Sequence, residues 1–331
     1  MLFDINTLVD LVVVRARVDK TVPNRRNLRS GWLTDTLLTI IIDALVVGEY
    51  NDPTAYAKIA RRVLERLQDL LERLPEMEAL AMLAILRGER LLPLTSEQVE
   101  LVTRLSEDLK SAISALLKGT RKQRCLELYS YHMGVFYDTL CYFDLAVEMY
   151  KWAVREAGSR SSSAAISRYC AALSRLKQAL LIAEPPDRLE KLFFVLEEKF
   201  ARLTKALCGS ELQVQWECNC SVQMISMCIL LNRQHDKQNE WAETALSTAG
   251  KLGWNSTTEF VLTVLGAEEA LVAFAEKGGG NNEKAIVLLL LVRKALADLR
   301  REEARDLINL MPMQGAQHVR AIASRLILPN Q

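Results

Sequence analysis

Apolar residues recur at three- and four-residue intervals along most of this chain, which is the pattern of an amphipathic α-helix. Between residues 52 and 74, for example, Ile59, Val63 and Leu67 fall on one face of a predicted helix. Only 14 Gly and 8 Pro interrupt the 331 residues, so long stretches contain no residue that ends a helix. The pattern therefore predicts an all-α protein.

Polar caps, prolines and glycines divide this pattern into about 14 to 16 predicted helices. Thr95 with Gln98, and Ser256 with Glu259, have the spacing of a capping box, which marks the start of a helix. We expect the second of these helices to run over residues 260–276. The other helices are predicted at residues 2–18, 32–47, 52–74, 78–87, 95–118, 124–140, 143–157, 164–183, 187–207, 211–232, 238–252 and 316–326.

The most specific pattern lies in two of these predicted helices, between residues 133 and 153. It joins an apolar residue and a Gly, an aromatic three positions later, and an Ala–aromatic–Ala series on the next helix: Met133, Gly134, Tyr137, Ala146, Tyr150 and Ala153. Two helices approach closely where Gly134 and Ala146 carry small side chains, and the rings of Tyr137 and Tyr150 fill the space beside them. Ala153 leaves room for a further helix.

This pattern resembles the tetratricopeptide repeat (TPR), over about residues 127–158. The same small–large–small spacing returns at Ala242, Leu246 and Ala249, but the steps between such sites exceed the repeat period of about 34 residues. The resemblance implies antiparallel helix pairs stacked as an irregular TPR-like α-solenoid over residues 119–331. We expect an N-terminal helical region, residues 1–118, to continue into it.

The resemblance also implies a groove lined by the first helix of each pair, in which other family members bind protein segments. In the best repeat this helix would present Leu128, Tyr131, Val135 and Asp138. None of the four is cationic, so they cannot clamp the C-terminal carboxylate of a peptide, and an apolar or basic partner segment is favoured. The alternative is that a neighbouring helix buries Tyr131 and Val135.

Charge gives a second, less favoured hypothesis. Lys and Arg total 42 against 41 Asp and Glu, whereas a dedicated nucleic-acid binder usually has a large basic excess. Two local basic stretches could still bind RNA phosphates or an acidic protein, although solvated loops are the simpler and favoured explanation. Their members include Arg25, Arg26, Arg29, Arg121, Lys122 and Arg124.

The sequence offers little evidence for catalysis. Cys218 and Cys220 would point about 200° apart on a helix, so they cannot hold one metal ion together. The glycines at 278–280 are not followed by the Lys-Ser or Lys-Thr of a phosphate-binding loop. Pairs such as His132 with Cys125 or Cys170 have no supporting motif. We therefore expect no metal, no cofactor and no enzymatic activity, and a helical enzyme is the least favoured alternative.

Cellular location is predicted from the cysteines and from the N-terminus. Seven Cys, an odd number in a long chain, indicate reduced thiols. The first residues lack the basic segment of a signal peptide, and the longest apolar run, 37–47, is shorter than the roughly 20 residues of a membrane span. We predict a soluble cytoplasmic scaffold, adaptor or regulatory subunit that binds a protein or peptide partner and no membrane.

Overall fold

The structure, a computed structural model, is helical throughout the part of the chain that it describes. The described residues are 92–116, 119–158, 161–210, 212–233, 236–277 and 280–327. They contain helices and connecting turns and no strand, which confirms the all-α prediction for these residues. The helices predicted before residue 92, and the basic residues Arg25, Arg26 and Arg29, lie outside the described residues.

Within these residues the chain forms α1 (Ser96–Ala115), α2 (Thr120–Thr139), α3 (Phe143–Ala157), α4 (Ser161–Leu181), α5 (Pro186–Leu207), α6 (Gln213–Leu230), α7 (Gln238–Leu252), α8 (Asn255–Val264), α9 (Glu268–Lys277), α10 (Asn281–Ala297), α11 (Arg301–Asn309) and α12 (Gln317–Ile327). None of these helices is long and apolar enough to cross a membrane. The predicted bounds of α3 and α7 are confirmed residue for residue.

One of the two predicted capping boxes is present. At the start of α1, the Thr95 hydroxyl accepts a hydrogen bond from the Gln98 amide at 3.2 Å, and the Gln98 side chain accepts one from the Thr95 amide at 2.9 Å. The prediction for Ser256 is wrong, because α8 already begins at Asn255 and Trp254 occupies the cap position. The predicted helix 260–276 is also wrong, because α8 ends at Val264 and α9 begins only at Glu268.

Small side chains let α2 and α3 pack closely. A Cβ atom on Gly134 would lie 2.7 Å from the ring of Tyr150, closer than real Cβ atoms come to a neighbour. Ala146 and Ala153 are wholly buried, and Tyr150 is buried with them. The predicted close approach of these helices at Gly134 is therefore confirmed. Tyr137 lies beside Thr103 and Glu107 of α1, so it also joins α2 to the preceding helix.

Several described helices end with the same turn. In four of them, one non-glycine residue adopts the left-handed conformation: Cys141, Ala183, Asn232 and Leu299, with φ between 52° and 62°. The amide of the next residue then bonds back to a carbonyl five positions earlier, as Glu184 does to Ala179 at 2.9 Å. This is the Schellman arrangement, which satisfies carbonyls at a helix end. With these residues it closes α2, α4, α6 and α10, the first helices of four pairs, and with Gly253 it also closes α7, where the Trp254 amide bonds back to Ala249 at 2.9 Å.

The helices pack mainly on their neighbours in the chain. α2 packs on α3, α3 on α4, α4 on α5, α6 on α7 and α10 on α11. The largest exception is α12, which packs on both α10 and α4 and so brings the end of the described chain back to its middle. One large hydrophobic core extends from α4 to α12, and Tyr169, Phe193 and Phe260 are its largest wholly buried side chains.

Candidate functional site

The predicted groove residues lie together on one helix. Leu128, Tyr131, Val135 and Asp138 are spaced by three, four and three positions along α2, so they form one stripe on its surface. All four side chains are partly buried and partly accessible. The stripe runs toward the C-terminal end of α2, where the chain turns into α3.

Asp138, at the end of this stripe, is an internal contact between helices. Its carboxylate pairs with the ammonium of Lys177 on α4 at 2.6 Å and accepts a hydrogen bond from the Ser174 hydroxyl at 2.5 Å. The side chains of Asp138 and Lys177 keep only 17% and 13% of their accessible area. The preference for a basic partner segment depended on the negative charge of Asp138. Lys177 balances that charge within the chain.

Tyr131 has both an internal and an accessible side. Its ring centroid lies 6.1 Å from that of Tyr150 and 5.6 Å from that of His132. Tyr150 in turn covers Gly134, so Tyr131 belongs to the packing of α2 on α3 as well as to the stripe. Leu128 and Val135 are consequently the two stripe residues best suited to test partner contact without disturbing this packing.

The basic residues near α2 contribute to helix ends. Lys122 donates through its ammonium to the carbonyls of Ser114 and, at 3.3 Å, Leu116, and so satisfies the C-terminal end of α1. Arg124 pairs with Glu127 at 3.0 Å. The side chain of Arg121 is outside the described part of the chain. Lys122 and Arg124 therefore have local structural contacts, and RNA binding stays a prediction.

The turn between α2 and α3 contacts the C-terminal helix through a cysteine and a histidine. The Cys141 sulfur lies 3.9 Å from Nδ1 of His318 on α12, and the His318 ring stands edge-on to Phe143 with centroids 5.4 Å apart. Burial, and then the positive charge of Lys177, hold the pKa of His318 well below its usual value. His318 is therefore neutral at physiological pH.

A thiol beside an imidazole is also the arrangement of a cysteine nucleophile and its base. Here His318 and Cys141 are both buried, so a substrate has no access to the sulfur. The pair is better explained as a packing contact between α12 and the α2–α3 turn. Sequence reasoning missed it because 177 positions separate the two residues and no motif links them.

Side-chain hydrogen bonds to backbone atoms hold the C-terminal segment in place. Arg325 on α12 donates to the carbonyls of Leu180, at 2.9 Å, and Leu181, which end α4. The Gln314 side-chain amide donates to the carbonyl of Leu94 and accepts from its amide, both at 2.8 Å. Such bonds satisfy backbone groups that a helix end or an extended segment leaves unpaired.

α12 adds a narrow apolar stripe to these polar contacts. Val319 and Ala323 are wholly buried in the main core, as is Ala316 just before the helix. Ile322 and Ile327 pack against the same core and stay partly accessible. Because α12 packs on α4 and α10, this stripe lies against both helices.

The thiols on α6 point in different directions, as expected from their spacing. Cys220 lies in the main core near Tyr169, whereas Cys218 packs with Ala249 and Trp254 in a separate small cluster. Burial raises the pKa of both thiols and raises that of Cys228 to about 11. Within the residues that the structure describes, no group of His, Cys, Asp and Glu side chains could hold a metal ion.

The sequence and the fold were also compared with known proteins. Neither the protein-family models, nor the curated proteins, nor the solved structures give a match to this chain.

Proposed function

We propose that this protein is a non-catalytic scaffold, adaptor or regulatory subunit that binds a segment of a partner protein. The observation that carries the proposal is that successive helices pack on one another as pairs, and that the first helices of four pairs end in the same left-handed turn. Repeated helix pairs that stack side by side form extended surfaces suited to binding other chains. The proposed architecture is an irregular TPR-like α-solenoid.

Contacts between the first helices of successive pairs support this architecture. Asp138 on α2 bonds to Ser174 and Lys177 on α4. α4 reaches α6 through the Tyr169 hydroxyl, which donates to the carbonyl of Cys220 at 3.5 Å. α6 reaches α10 through Arg293, whose guanidinium donates to the last carbonyls of α6. We therefore infer a row of first helices, α2, α4, α6 and α10, in chain order.

The partner segment binds, in this proposal, along the stripe on α2. Leu128 and Val135 supply partly accessible apolar surface, and Tyr131 supplies an aromatic ring beside them. Since Lys177 balances Asp138, the contacts left for a partner are mainly apolar. The buried position of Cys141 and His318 supports a non-catalytic role. The free cysteines favour a reducing compartment such as the cytoplasm.

The test is affinity purification of the tagged chain from its native host, with mass spectrometry of the proteins that it retains. Leu128→Glu and Val135→Glu place a charge on the stripe, and we expect each to reduce recovery of a specific partner about tenfold or more, which corresponds to about 1.4 kcal/mol. Leu262→Glu is the matched control, because Leu262 is an exposed apolar residue on α8, away from the stripe.

Circular dichroism and thermal unfolding must show that all three variants keep the fold. If the wild-type chain and both stripe variants retain a specific partner equally, the α2 stripe is not its binding site. Recovery of RNA that is lost at moderate salt, with no specific protein, would instead support the RNA-associated alternative.

A further inference from the structure

The face that the row of first helices would offer to a partner is already partly covered by this chain itself. α12 lies against α4 and α10, two members of the row, and reaches the α2–α3 turn through His318. Lys177 links the two surfaces, because it pairs with Asp138 on α2 and its charge also acts on His318 of α12. α12 therefore covers the part of this face that lies on α4 and α10, beyond the α2 stripe.

α12 has the pattern of a helix bound in a groove. Its buried apolar positions, with the residue just before it, are Ala316, Val319 and Ala323, which recur at three- and four-residue intervals. Helix-in-groove complexes use anchors at such intervals. Arg325 then donates to the carbonyls of Leu180 and Leu181 at the end of α4, which fixes the direction and the register of the helix.

α12 is attached through few buried side chains, as is α11, which buries two. Only three side chains of α12 are buried, His318, Val319 and Ala323, whereas α10 buries eight. The buried apolar side chains of α12 are small, and apolar stabilisation scales with the area removed from water. The rest of its attachment consists of the partly accessible contacts of Ile322 and Ile327 and of hydrogen bonds that water can replace. Helices with few buried contacts open at lower free energy than the core.

We propose that α12 is an exchangeable occupant of a second part of this face, formed by α4 and α10. A helix of the partner takes its place. That helix has small apolar side chains at the spacing of residues 316, 319 and 323, and an arginine two positions after the last of them. This inference rests on the proposed function and adds to it the chemistry of the partner segment and a means of regulation. Partner binding and release of α12 are then one equilibrium.

The first test is hydrogen exchange on the full chain under native conditions. We expect the amides of α12 to exchange at least about tenfold faster than the buried amides of α10. Arg325→Ala should accelerate exchange in α12 by a further factor of about ten, because it removes two charge-assisted hydrogen bonds, and should leave α10 unchanged. Arg293→Ala is the matched control, since Arg293 makes the equivalent contact from α10 to α6.

The second test uses a fluorescent synthetic peptide of residues 314–327 with the full chain. Its own α12 competes with the peptide, so the apparent affinity depends on the fraction of molecules in which α12 is released. We expect the peptide to bind the Arg325→Ala chain about tenfold more tightly than the wild-type chain or the Arg293→Ala chain. A peptide whose own Arg325 is replaced by Ala should bind more weakly.

Exchange of α12 and α10 at one common rate, in the wild-type and in the Arg325→Ala chain, would overturn the inference, as would the absence of saturable peptide binding to either chain. The two proposals fail separately. If Leu128→Glu abolishes recovery of a partner while the amides of α12 do not exchange faster than those of α10, the scaffold function is supported and the exchange of α12 is wrong. If α12 exchanges and the peptide binds while affinity purification retains no specific partner, only the scaffold function is wrong.

Discussion

The α2–α3 pair and the segment from α10 to α12 are held together by different kinds of contact. In the first, neighbours in the chain pack through side-chain size, with Tyr150 against Gly134 and Ala146 wholly buried. In the second, Gln314, His318 and Arg325 contact residues between 145 and 220 positions away, mostly at backbone atoms. The same chain therefore uses local shape at one place and distant polar contacts at the other.

This difference bears on stability and on function. A close contact of small residues tolerates little change, because any added atom must displace a buried ring. Hydrogen bonds from exposed or half-buried side chains to carbonyls can exchange with water and cost less to open. The α2–α3 pair is thus suited to be a fixed framework, and α12 is suited to move against it.

The largest effect is expected in the fixed framework. Gly134→Val places branched atoms inside the volume of the Tyr150 ring, so we expect the free energy of unfolding to fall by about 3 kcal/mol in chemical denaturation. The double variant Gly134→Ala, Tyr150→Leu is the control, because the smaller side chain frees space for a Cβ atom. If Gly134→Val is as stable as the wild-type chain, the α2–α3 contact is not close-packed and the comparison fails.

A second, pH-dependent effect is expected at the α12 contact. Burial and Lys177 lower the pKa of His318 in the folded chain, whereas the unfolded chain has the ordinary value of about 6.5. Below that pH the unfolded chain binds a proton that the folded chain does not. Stability is therefore fully present above about pH 6.5 and is lost as pH falls, by up to about 1.4 kcal/mol per pH unit.

This pH effect is measured by denaturation between pH 7.5 and pH 5. His318→Gln cannot take up the proton, so the difference in slope between this variant and the wild-type chain isolates the contribution of His318 from that of other groups. Equal slopes in the two chains would mean that His318 is accessible to protonation in the folded state. The contact between α12 and the α2–α3 turn would then be looser than described.

The smallest effect is expected at the four left-handed turns without glycine, which close the first helix of each compared region and two helices between them. Ala183 and Leu299 adopt left-handed backbone conformations that cost a residue with a Cβ atom about 1 kcal/mol or more, and glycine avoids this cost. Leu299 is 86% exposed, so its replacement loses almost no buried surface. We expect Ala183→Gly and Leu299→Gly each to raise the free energy of unfolding by about 1 kcal/mol.

Asn232→Gly provides the comparison for these two variants. Asparagine enters the left-handed region more readily than alanine or leucine, so the gain there should be smaller. If all three changes are neutral or destabilising, the four turns are not equivalent, and the recurrence on which the scaffold proposal rests loses its physical basis.

The sequence predicted the structural features that depend on residues close together in the chain. The helical spacing of apolar residues predicted α3 and α7, and the Thr95 and Gln98 capping box predicted the start of α1. The small size of Gly134 predicted the close contact there. Each of these signals acts over a few residues or across one helix pair. The break between α8 and α9 was missed because Phe260 and Leu271 fit one continuous apolar stripe.

Contacts between distant parts of the chain gave no comparable signal. Nothing in the sequence around Cys141 indicates His318, and nothing around Leu94 indicates Gln314. The left-handed turn at Leu299 was also unforeseen, because leucine is a residue that this conformation normally disfavours. For the candidate site, the sequence grouped the α2 stripe, but the ion pair of Asp138 with Lys177 needed the positions of both helices.

The paired hydrogen bonds between Leu94 and Gln314 have a mechanical consequence. An array of helix pairs whose two ends are free can be extended by small changes between neighbouring pairs, because each pair contacts only its neighbours. Here the residues before α1 are joined to the segment between α11 and α12, so a pulling force applied between Leu94 and Gln314 loads these two bonds before any helix pair between them separates. In a single-molecule stretching experiment, Gln314→Ala should therefore remove the earliest resistance and leave the later unfolding steps of the helix pairs in place.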